Sequence, residues 1–335
     1  MLQPASRILG TGHFLPPNVR TNHDIERMVD TSDQWIMERT GIRERRIASP
    51  EMVTSDMAAE AARAALTMAG LKASDLDMII VGTVTPDMPM PATAVFVQQK
   101  IGAGHCPAFD ISAACAGFLF GLTLADGVIR TGVAKHVLVI GVELLSRVVD
   151  WEDRTTCVLF GDGAGAAVFG PSEGKVDSLG RPRGVLASSI HSDGELAASL
   201  WIPGGGSRTP ASADMLATKA HKVHMRGQDI FKVAIKSLYS ASKAAVEKAG
   251  MTPDEVDWVC PHQANLRIID QATTRLGVPK EKILVNLERV GNTSSASIPI
   301  LLDESLRSGK VKEGDSVVMC ALGAGVSWGG AVVRV

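Results

Sequence analysis

Residues 69–81 read AGLKASDLDMIIV, and residues 249–260 read AGMTPDEVDWVC. Each stretch has an Ala-Gly pair, then acidic turn residues, then a short apolar run, and each follows an alanine-rich segment that favours a helix. The two copies are separated by 180 residues, and the same separation relates the apolar runs 137–140 and 317–320. This repeat predicts two similar α/β halves whose short apolar strands are of the parallel type and buried on both faces.

The boundary between the halves is predicted near residues 170–172, where an apolar strand stops at Pro171 and Ser172. We therefore assign residues 1–171 to an N-terminal half, which carries the candidate nucleophile, and residues 172–335 to a C-terminal half. A chain of 335 residues has the length of about two ordinary domains.

Composition excludes several classes of protein. Lys plus Arg (34) nearly equals Asp plus Glu (36), so the chain has no overall basic field for nucleic acid, and an anionic partner must meet a local patch.

Five cysteines without a C-x-x-C pair argue against a disulfide framework or a structural zinc site and indicate reduced thiols. The apolar run 317–333 contains four glycines and is read as strand, turn and strand. With no secretory pattern in residues 1–15, we expect a cytoplasmic protein without a membrane partner.

Cys115 is the first candidate for chemistry. Residues 106–112 are predicted to form a strand and residues 116–129 an apolar helix, so Cys115 lies on the turn between them. A helix N-terminus favours a thiolate, and its free N–H groups can hold an oxyanion. Free cysteines are nevertheless often buried and inert.

His262 and Asn292 complete a candidate constellation. His262 follows the apolar run at residues 258–260, where α/β sheets place their ligands, and Asn292 lies in a glycine turn that opens a helix. A buried structural histidine and a helix cap are the alternative interpretations. A Cys, a His and an Asn suit two chemistries: a thiol hydrolase, and an acyl-transfer enzyme whose acyl-cysteine awaits a carbon nucleophile.

Two further motifs are poor candidates for ligand binding. The glycine-rich residues 161–166 do not form a dinucleotide site, because the following residues 167–169 continue as a strand. His221 and His224 lie in a polar segment typical of a solvated face and not of metal ligands. The arginine cluster at residues 39–46, in contrast, has Trp35 just upstream and suits either a solvated surface or a site that stacks on an adenine and pairs with phosphates.

The chain resembles the β-ketoacyl-acyl-carrier-protein synthase III family of condensing enzymes, which have the thiolase fold. The resemblance runs nearly from end to end and rests on these segments: DQWIMERTGIRERR at 33–46, CPAFDISAACAGF at 106–118, LFGDGAGAAV at 159–168, PHQANLRI at 261–268, GNTSSASIP at 291–299 and GAGVSWG at 323–329. It implies a five-layered αβαβα fold built from two duplicated halves, and a homodimer.

The resemblance also implies residue roles. Cys115 would be acylated by a short acyl-CoA, and His262 and Asn292 would support decarboxylation of malonyl-acyl carrier protein (malonyl-ACP), so that a carbanion attacks the acyl-cysteine and fatty acid biosynthesis begins. The oxyanion loop would comprise Cys115, Ala324 and Gly325. No metal or redox cofactor is implied. A specialised condensing enzyme or acyltransferase of secondary metabolism is the alternative within the family.

Substrate contacts follow from the same resemblance. The predicted CoA-binding residues are Trp35, Arg39, Thr40, Arg154 and Asn265, and the predicted carrier-protein contacts are Lys232 and Arg267.

The sequence departs from the family pattern near the acyl site. Many members have Phe-Gly-Gly-Gly-Phe near the end, where this chain has residues 322–326 as LGAGV. Met90 stands where many members place Phe, so Met90 and Leu322 are predicted to line the acyl pocket. Because methionine is flexible, we expect primers larger than acetyl to be accepted.

Overall fold

The structure is a computed structural model and describes residues 4–335. The strands are β1 Ser6–Phe14, β2 Asn18–Thr21, β3 Glu44–Ile47, β4 Met78–Gly82, β5 Ala108–Ile111, β6 Val137–Glu143, β7 Gly163–Pro171, β8 Gly184–Ser192, β9 Leu200–Trp201, β10 His224–Met225, β11 Trp258–Pro261, β12 Ser316–Gly323 and β13 Ser327–Arg334. The helices are α1 Asn22–Glu26, α2 Asp33–Thr40, α3 Thr54–Ala69, α4 Thr93–Ile101, α5 Gly117–Arg130, α6 Ala213–Ala217, α7 Gly227–Lys248, α8 Leu266–Leu276, α9 Leu287–Val290 and α10 Ser297–Arg307.

Two mixed sheets form the body of the protein. The first has the strand order β1-β7-β6-β4-β5, and the second has the order β11-β12-β13-β8. Strands β4, β5 and β6 run parallel, as do β11 and β12, whereas β7 and β13 run antiparallel to their neighbours. The four strands of the repeat, β4 and β6 in the first sheet and β11 and β12 in the second, are therefore parallel as predicted, whereas β1, β7, β8 and β13 form antiparallel pairs.

The repeat found in the sequence is present in the strand register. Met78 pairs with Val137 in the first sheet, and Trp258 pairs with Val317 in the second, so both partners are displaced by 180 residues. The two sheets thus pair equivalent residues of the two copies, as the repeat predicts.

Helices cover and separate the sheets. Helix α3 packs on the outer face of the first sheet, α7 packs on the outer face of the second, and α5 and α10 lie between them. The order α, β, α, β, α confirms the predicted five-layered thiolase fold. The central layer places the N-termini of α5 and α10 close together, next to the carboxyl ends of the parallel strands.

Two predicted elements differ slightly from the structure. The strand predicted at residues 106–112 is shorter, at Ala108–Ile111, and the helix predicted at 116–129 begins at Gly117 after a short turn at Ala114–Ala116. Within residues 4–335, no helix has both the length and the hydropathy that a membrane span needs. The same residues contain no cluster of three or more His, Cys, Asp or Glu side chains suited to a metal ion.

Candidate active site around Cys115

The Cys115 turn is a backbone feature that both halves share. Ala114 has φ of 44°, and Ser294, 180 residues later, has φ of 51°, although L-residues rarely adopt this left-handed region. Each residue lies in a short turn that leads directly into a central helix, α5 or α10. Cys115 itself is buried, with 8% of its surface exposed.

Two cavities meet at the thiol. The first, of about 190 Å³, contains Cys115, His262 and Asn292 in its wall and extends to Asn265 and Phe231. The second, of about 210 Å³, is strongly apolar and shares Cys115, Phe160 and Leu200 with the first. The remaining residues that line the second cavity are Val84, Ala114, Leu145, Trp201, Ile202, Val223, Ser294 and Ala324. A group attached to Cys115 therefore has an apolar space on one side and the His-Asn pair on the other.

His262 presents a fixed nitrogen to the first cavity. It follows β11, is almost completely buried, and its Nδ1 lies 2.6 Å from the Ser297 hydroxyl. The Gln263 backbone N–H donates to the same hydroxyl oxygen, and Nδ1 is the acceptor within reach of the Ser297 hydroxyl among residues 4–335, so we assign the hydroxyl hydrogen to Nδ1 and the ring proton to Nε2. Burial lowers the pKa of His262 to about 3, so the ring is neutral at physiological pH. His262 is thus a neutral hydrogen-bond donor.

Asn292 is a second donor. Its Oδ1 accepts the backbone N–H of Ser294 at 2.9 Å, which leaves the amide NH₂ free to donate. Its backbone is held by Leu159 and Gly161, whose C=O and N–H pair with it at 2.9 and 3.0 Å. A Cβ on Gly161 would lie 2.5 Å from a backbone oxygen, so this glycine of the rejected dinucleotide motif serves to position Asn292.

The closing glycine turn contacts the nucleophile turn. A Cβ on Gly323 would lie 2.6 Å from the backbone nitrogen of Cys115, which shows how closely the two backbones approach. Ala324 follows and lines the apolar cavity beside Cys115, whereas Gly325 has φ of 131° and lies next to Ser327. The predicted oxyanion loop is therefore adjacent to the thiol, and the Ala324 methyl is accommodated at the cavity wall.

The thiol is not pre-ionised in the free protein. Burial raises the pKa of Cys115 to about 12, against a hydrogen bond from Ser294 that lowers it, while the nearby Glu143 raises it further. Our expectation that the helix N-terminus favours a thiolate is therefore outweighed by desolvation. Attack by Cys115 requires a group that accepts its proton.

Comparison with known proteins agrees with this geometry. Residues 109–194 match the model of 3-oxoacyl-[acyl-carrier-protein (ACP)] synthase III, and residues 246–335 match the model of its C-terminal part. The β-ketoacyl-[acyl-carrier-protein] synthase III of Symbiobacterium thermophilum is 53% identical, over 98% of this chain and 97% of that protein. The chain belongs to the β-ketoacyl-ACP synthase III family. It is therefore an acyltransferase of the condensing-enzyme type.

Solved structures show the same relationship. The synthase III of Aquifex aeolicus is 48% identical and superimposes with a TM-score of 0.90, over 98% of this chain and all of that one. A priming β-ketosynthase from a polyketide biosynthetic pathway is 36% identical, with a TM-score of 0.89 over 99% and 96% of the two chains. Family membership decides between condensing enzyme and thiol hydrolase in favour of the first.

Four of the residues that family resemblance assigns to CoA form a connected group that reaches the first cavity at Asn265. The guanidinium groups of Arg39 and Arg154 lie 5.7 and 5.1 Å from the ring centre of Trp35. Asn265, which lines the cavity, donates from its side chain to the carbonyl of Arg39 and so connects the two regions. Thr40 differs, because it is buried and its hydroxyl bonds the backbone of Ile36 and Ile42.

The predicted carrier-protein contacts are exposed near the same mouth in this synthase III. Lys232 lies on α7 and Arg267 on α8, two helices packed against each other. The Arg267 guanidinium lies 5.4 Å from the ring centre of Phe231, which lines the first cavity.

The acyl pocket is where sequence reasoning missed most. Met90 is 84% exposed and lines neither cavity within this chain, and Leu322 lines the cavity of His262 and Asn292 and not the apolar one. The apolar cavity is instead lined by residues such as Leu145, Trp201, Ile202 and Val223. They lie on loops and short strands with no motif, so only the assembled fold identifies them.

Proposed function

We propose that this synthase III acylates Cys115 with a short acyl-CoA and condenses the acyl group with malonyl-ACP, releasing CO₂ and forming β-ketoacyl-ACP. The main support is that His262 and Asn292 both present N–H donors to the cavity that contains the thiol. Two converging donors stabilise the negative charge that develops on a thioester oxygen.

The first half-reaction is transfer of the acyl group. The Cys115 sulfur attacks the thioester carbonyl, the backbone N–H groups of Cys115 and Ala324 hold the oxyanion, and CoA leaves through the first cavity. The acyl chain then occupies the apolar cavity, whose walls suit a hydrocarbon group larger than acetyl. Trp35, Arg39, Arg154 and Asn265 would bind CoA during this step.

The second half-reaction forms the carbon-carbon bond. Malonyl-ACP enters the first cavity, and His262 and Asn292 donate to its thioester oxygen while the C–CO₂⁻ bond breaks. The resulting enolate attacks the acyl carbonyl and expels the Cys115 thiolate. Because loss of CO₂ itself generates the carbanion, the reaction requires no metal or redox cofactor. Lys232 and Arg267 supply positive charge where an acidic carrier protein would dock, despite the net charge of -2.

A homodimer forms part of the proposal. Strand β5 is an edge strand of the first sheet, and Phe109 on it, together with Met88 and Met90, is exposed. Exposed edges with apolar side chains favour pairing, and two copies joined through β5 would cover this surface. An acyl-pocket role for Met90 then requires the second copy. We place the protein in the cytoplasm, where its five unpaired cysteines remain reduced.

Mass spectrometry tests the reaction directly. Incubation with acetyl-CoA should add one acetyl group to the intact protein, and malonyl-ACP should then remove it with release of one CO₂. The Cys115→Ala variant should show no adduct, and a persistent adduct would show that the nucleophile is elsewhere. Acylation without CO₂ release would instead support the acyltransferase alternative of secondary metabolism.

Light scattering tests the dimer. The native protein should have the mass of two chains, and Phe109→Asp should shift it towards one chain. Val133→Asp, at a 70% exposed apolar position in the loop between α5 and β6, is the matched control. A native protein with the mass of a single chain would contradict the dimer.

A further inference from the structure

Glu143 is a buried carboxyl group that has no role in the two half-reactions. It lies at the end of β6 and is completely inaccessible to solvent. Its oxygens accept the Thr85 hydroxyl at 2.7 Å, the Val84 backbone N–H at 3.1 Å and the Ser294 hydroxyl at 3.1 Å. Burying a carboxyl group is costly, and such groups concentrate at functional sites.

Ser294 connects this carboxyl group to the nucleophile. The residue lies on the turn that faces Cys115 across the central layer, and both residues line the apolar cavity. Its hydroxyl donates its single hydrogen to Glu143 Oε1 at 3.1 Å, which leaves an oxygen lone pair free to accept the S–H of Cys115. The three side chains therefore form a chain from Cys115 through Ser294 to Glu143.

His262 is a poor acceptor for the proton of the thiol. Its Nδ1 accepts a hydrogen bond from Ser297 and its Nε2 carries the ring proton, so neither nitrogen has a free lone pair. Burial also lowers the pKa of His262 to about 3, which makes the ring a poor base. In contrast, burial raises the pKa of Glu143 to about 7, against hydrogen bonds from Thr85, Val84 and Ser294. That value suits proton exchange near neutral pH.

We propose that Glu143 is a positioning residue that receives the Cys115 thiol proton through the Ser294 hydroxyl during acylation and returns it after condensation. The proposal rests on the proposed function of this synthase III. As the S–H bond breaks, the thiol proton passes to Ser294 Oγ, and the Ser294 proton passes to the Glu143 carboxylate. CoA leaves as the thiolate and is protonated by solvent. When the enolate expels Cys115 as a thiolate, the same path reversed restores S–H and the Glu143 carboxylate.

Few other groups near Glu143 could exchange a proton with it. The groups that face it come from the segment after β4 (Thr83, Val84 and Thr85), from the Ser294 turn and from the Cys115 turn. Cys115 is the ionisable one among them. Ser295 also approaches Glu143, at 3.4 Å, but donates mainly to the Gly82 carbonyl at 2.7 Å.

Rapid-quench measurement of acylation from acetyl-CoA, between pH 5.5 and 9, tests the relay. The native rate should rise with pH and level off once Glu143 is ionised. Glu143→Gln and Ser294→Ala should each lower the acylation rate at pH 7 on the order of 100-fold and abolish its rise with pH. Both variants should keep the KM for acetyl-CoA within a factor of two. Ser294→Ala keeps the backbone N–H that orients Asn292.

Controls separate the relay from a structural effect and from the function itself. The double variant should lose no more than either single variant, because both interrupt one path. Ser295→Ala should acylate at the native rate. If Glu143→Gln does not fold, Ser294→Ala decides alone. A native rate and pH profile in Ser294→Ala, or losses that multiply in the double variant, would overturn the relay. Cys115→Ala tests the nucleophile separately, since an adduct there contradicts the proposed function whatever the Glu143 result.

Discussion

The Ser297 hydroxyl lies 2.6 Å from Nδ1 of His262 and accepts the Gln263 N–H on its other side. This arrangement favours the imidazole proton on Nε2, and His262 lines the cavity that contains Cys115. Ser297 is the first residue of α10, so the central helix itself sets the orientation of the His262 ring.

Ser297→Ala should therefore slow condensation and spare acylation. Without the hydroxyl the neutral ring can carry its proton on either nitrogen, and the donor to the malonyl thioester is lost part of the time. We expect a loss of about 10- to 100-fold in CO₂ release, the range found when the partner that orients a metal-bound imidazole is removed. Ser305→Ala, at another buried serine of α10, is the control. Equal losses in both half-reactions would contradict this role.

Gly323→Ala should damage the nucleophile turn. The added methyl carbon would lie 2.6 Å from Cys115 N and from Ala113 O, so one of the two backbones must move. We expect unfolding free energy to fall by about 1–3 kcal/mol and acylation to slow at least about tenfold. Gly104→Ala is the matched control, because no atom lies within 4 Å of a Cβ there. Chemical denaturation and rapid quench measure the two effects.

Val223→Phe should narrow the acyl cavity. Val223 is buried in its wall, and the larger ring occupies space that a branched primer needs. We expect the ratio of kcat/KM for isobutyryl-CoA to that for acetyl-CoA to fall about tenfold, and Val223→Ala to raise it. A ratio that both variants leave unchanged would show that the acyl group lies elsewhere. Strict preference of the native protein for acetyl-CoA would contradict our expectation of larger primers.

Acid should destabilise the native protein through His262. The pKa of His262 is about 3 in the folded protein and 6.5 in an exposed histidine. The neutral ring therefore stabilises the folded state fully above pH 6.5, and this stabilisation is lost as the pH falls towards 3. From pH 7.5 to pH 5, the unfolding free energy of the native protein should fall by about 2 kcal/mol relative to His262→Gln. Glu143 titrates in both proteins and cancels in this comparison. Urea unfolding at several pH values measures it, and parallel curves would contradict the assignment.

The duplicated architecture, and the three residues Cys115, His262 and Asn292 that line one cavity, could be predicted from the sequence alone. The 180-residue repeat could be read directly, because parallel strands that are buried on both faces appear in the sequence as continuous apolar runs. Cys115, His262 and Asn292 could be found because each lies where a strand ends or where a turn opens a helix. Such junctions can be recognised from local sequence.

How those residues work depends on the tertiary structure. The Ser294 and Glu143 side chains that meet beside the thiol are 151 residues apart, and Ser297 and His262 are 35 apart. The acyl cavity is lined by Leu145, Trp201 and Val223, and no motif joins them. In contrast, the family resemblance assigned Met90 to the acyl pocket and Thr40 to the CoA site. Within this chain Met90 is exposed to solvent and Thr40 is buried. Proton positions, burial and cavity walls depend on contacts between distant segments, and these exist only after the two halves have packed together.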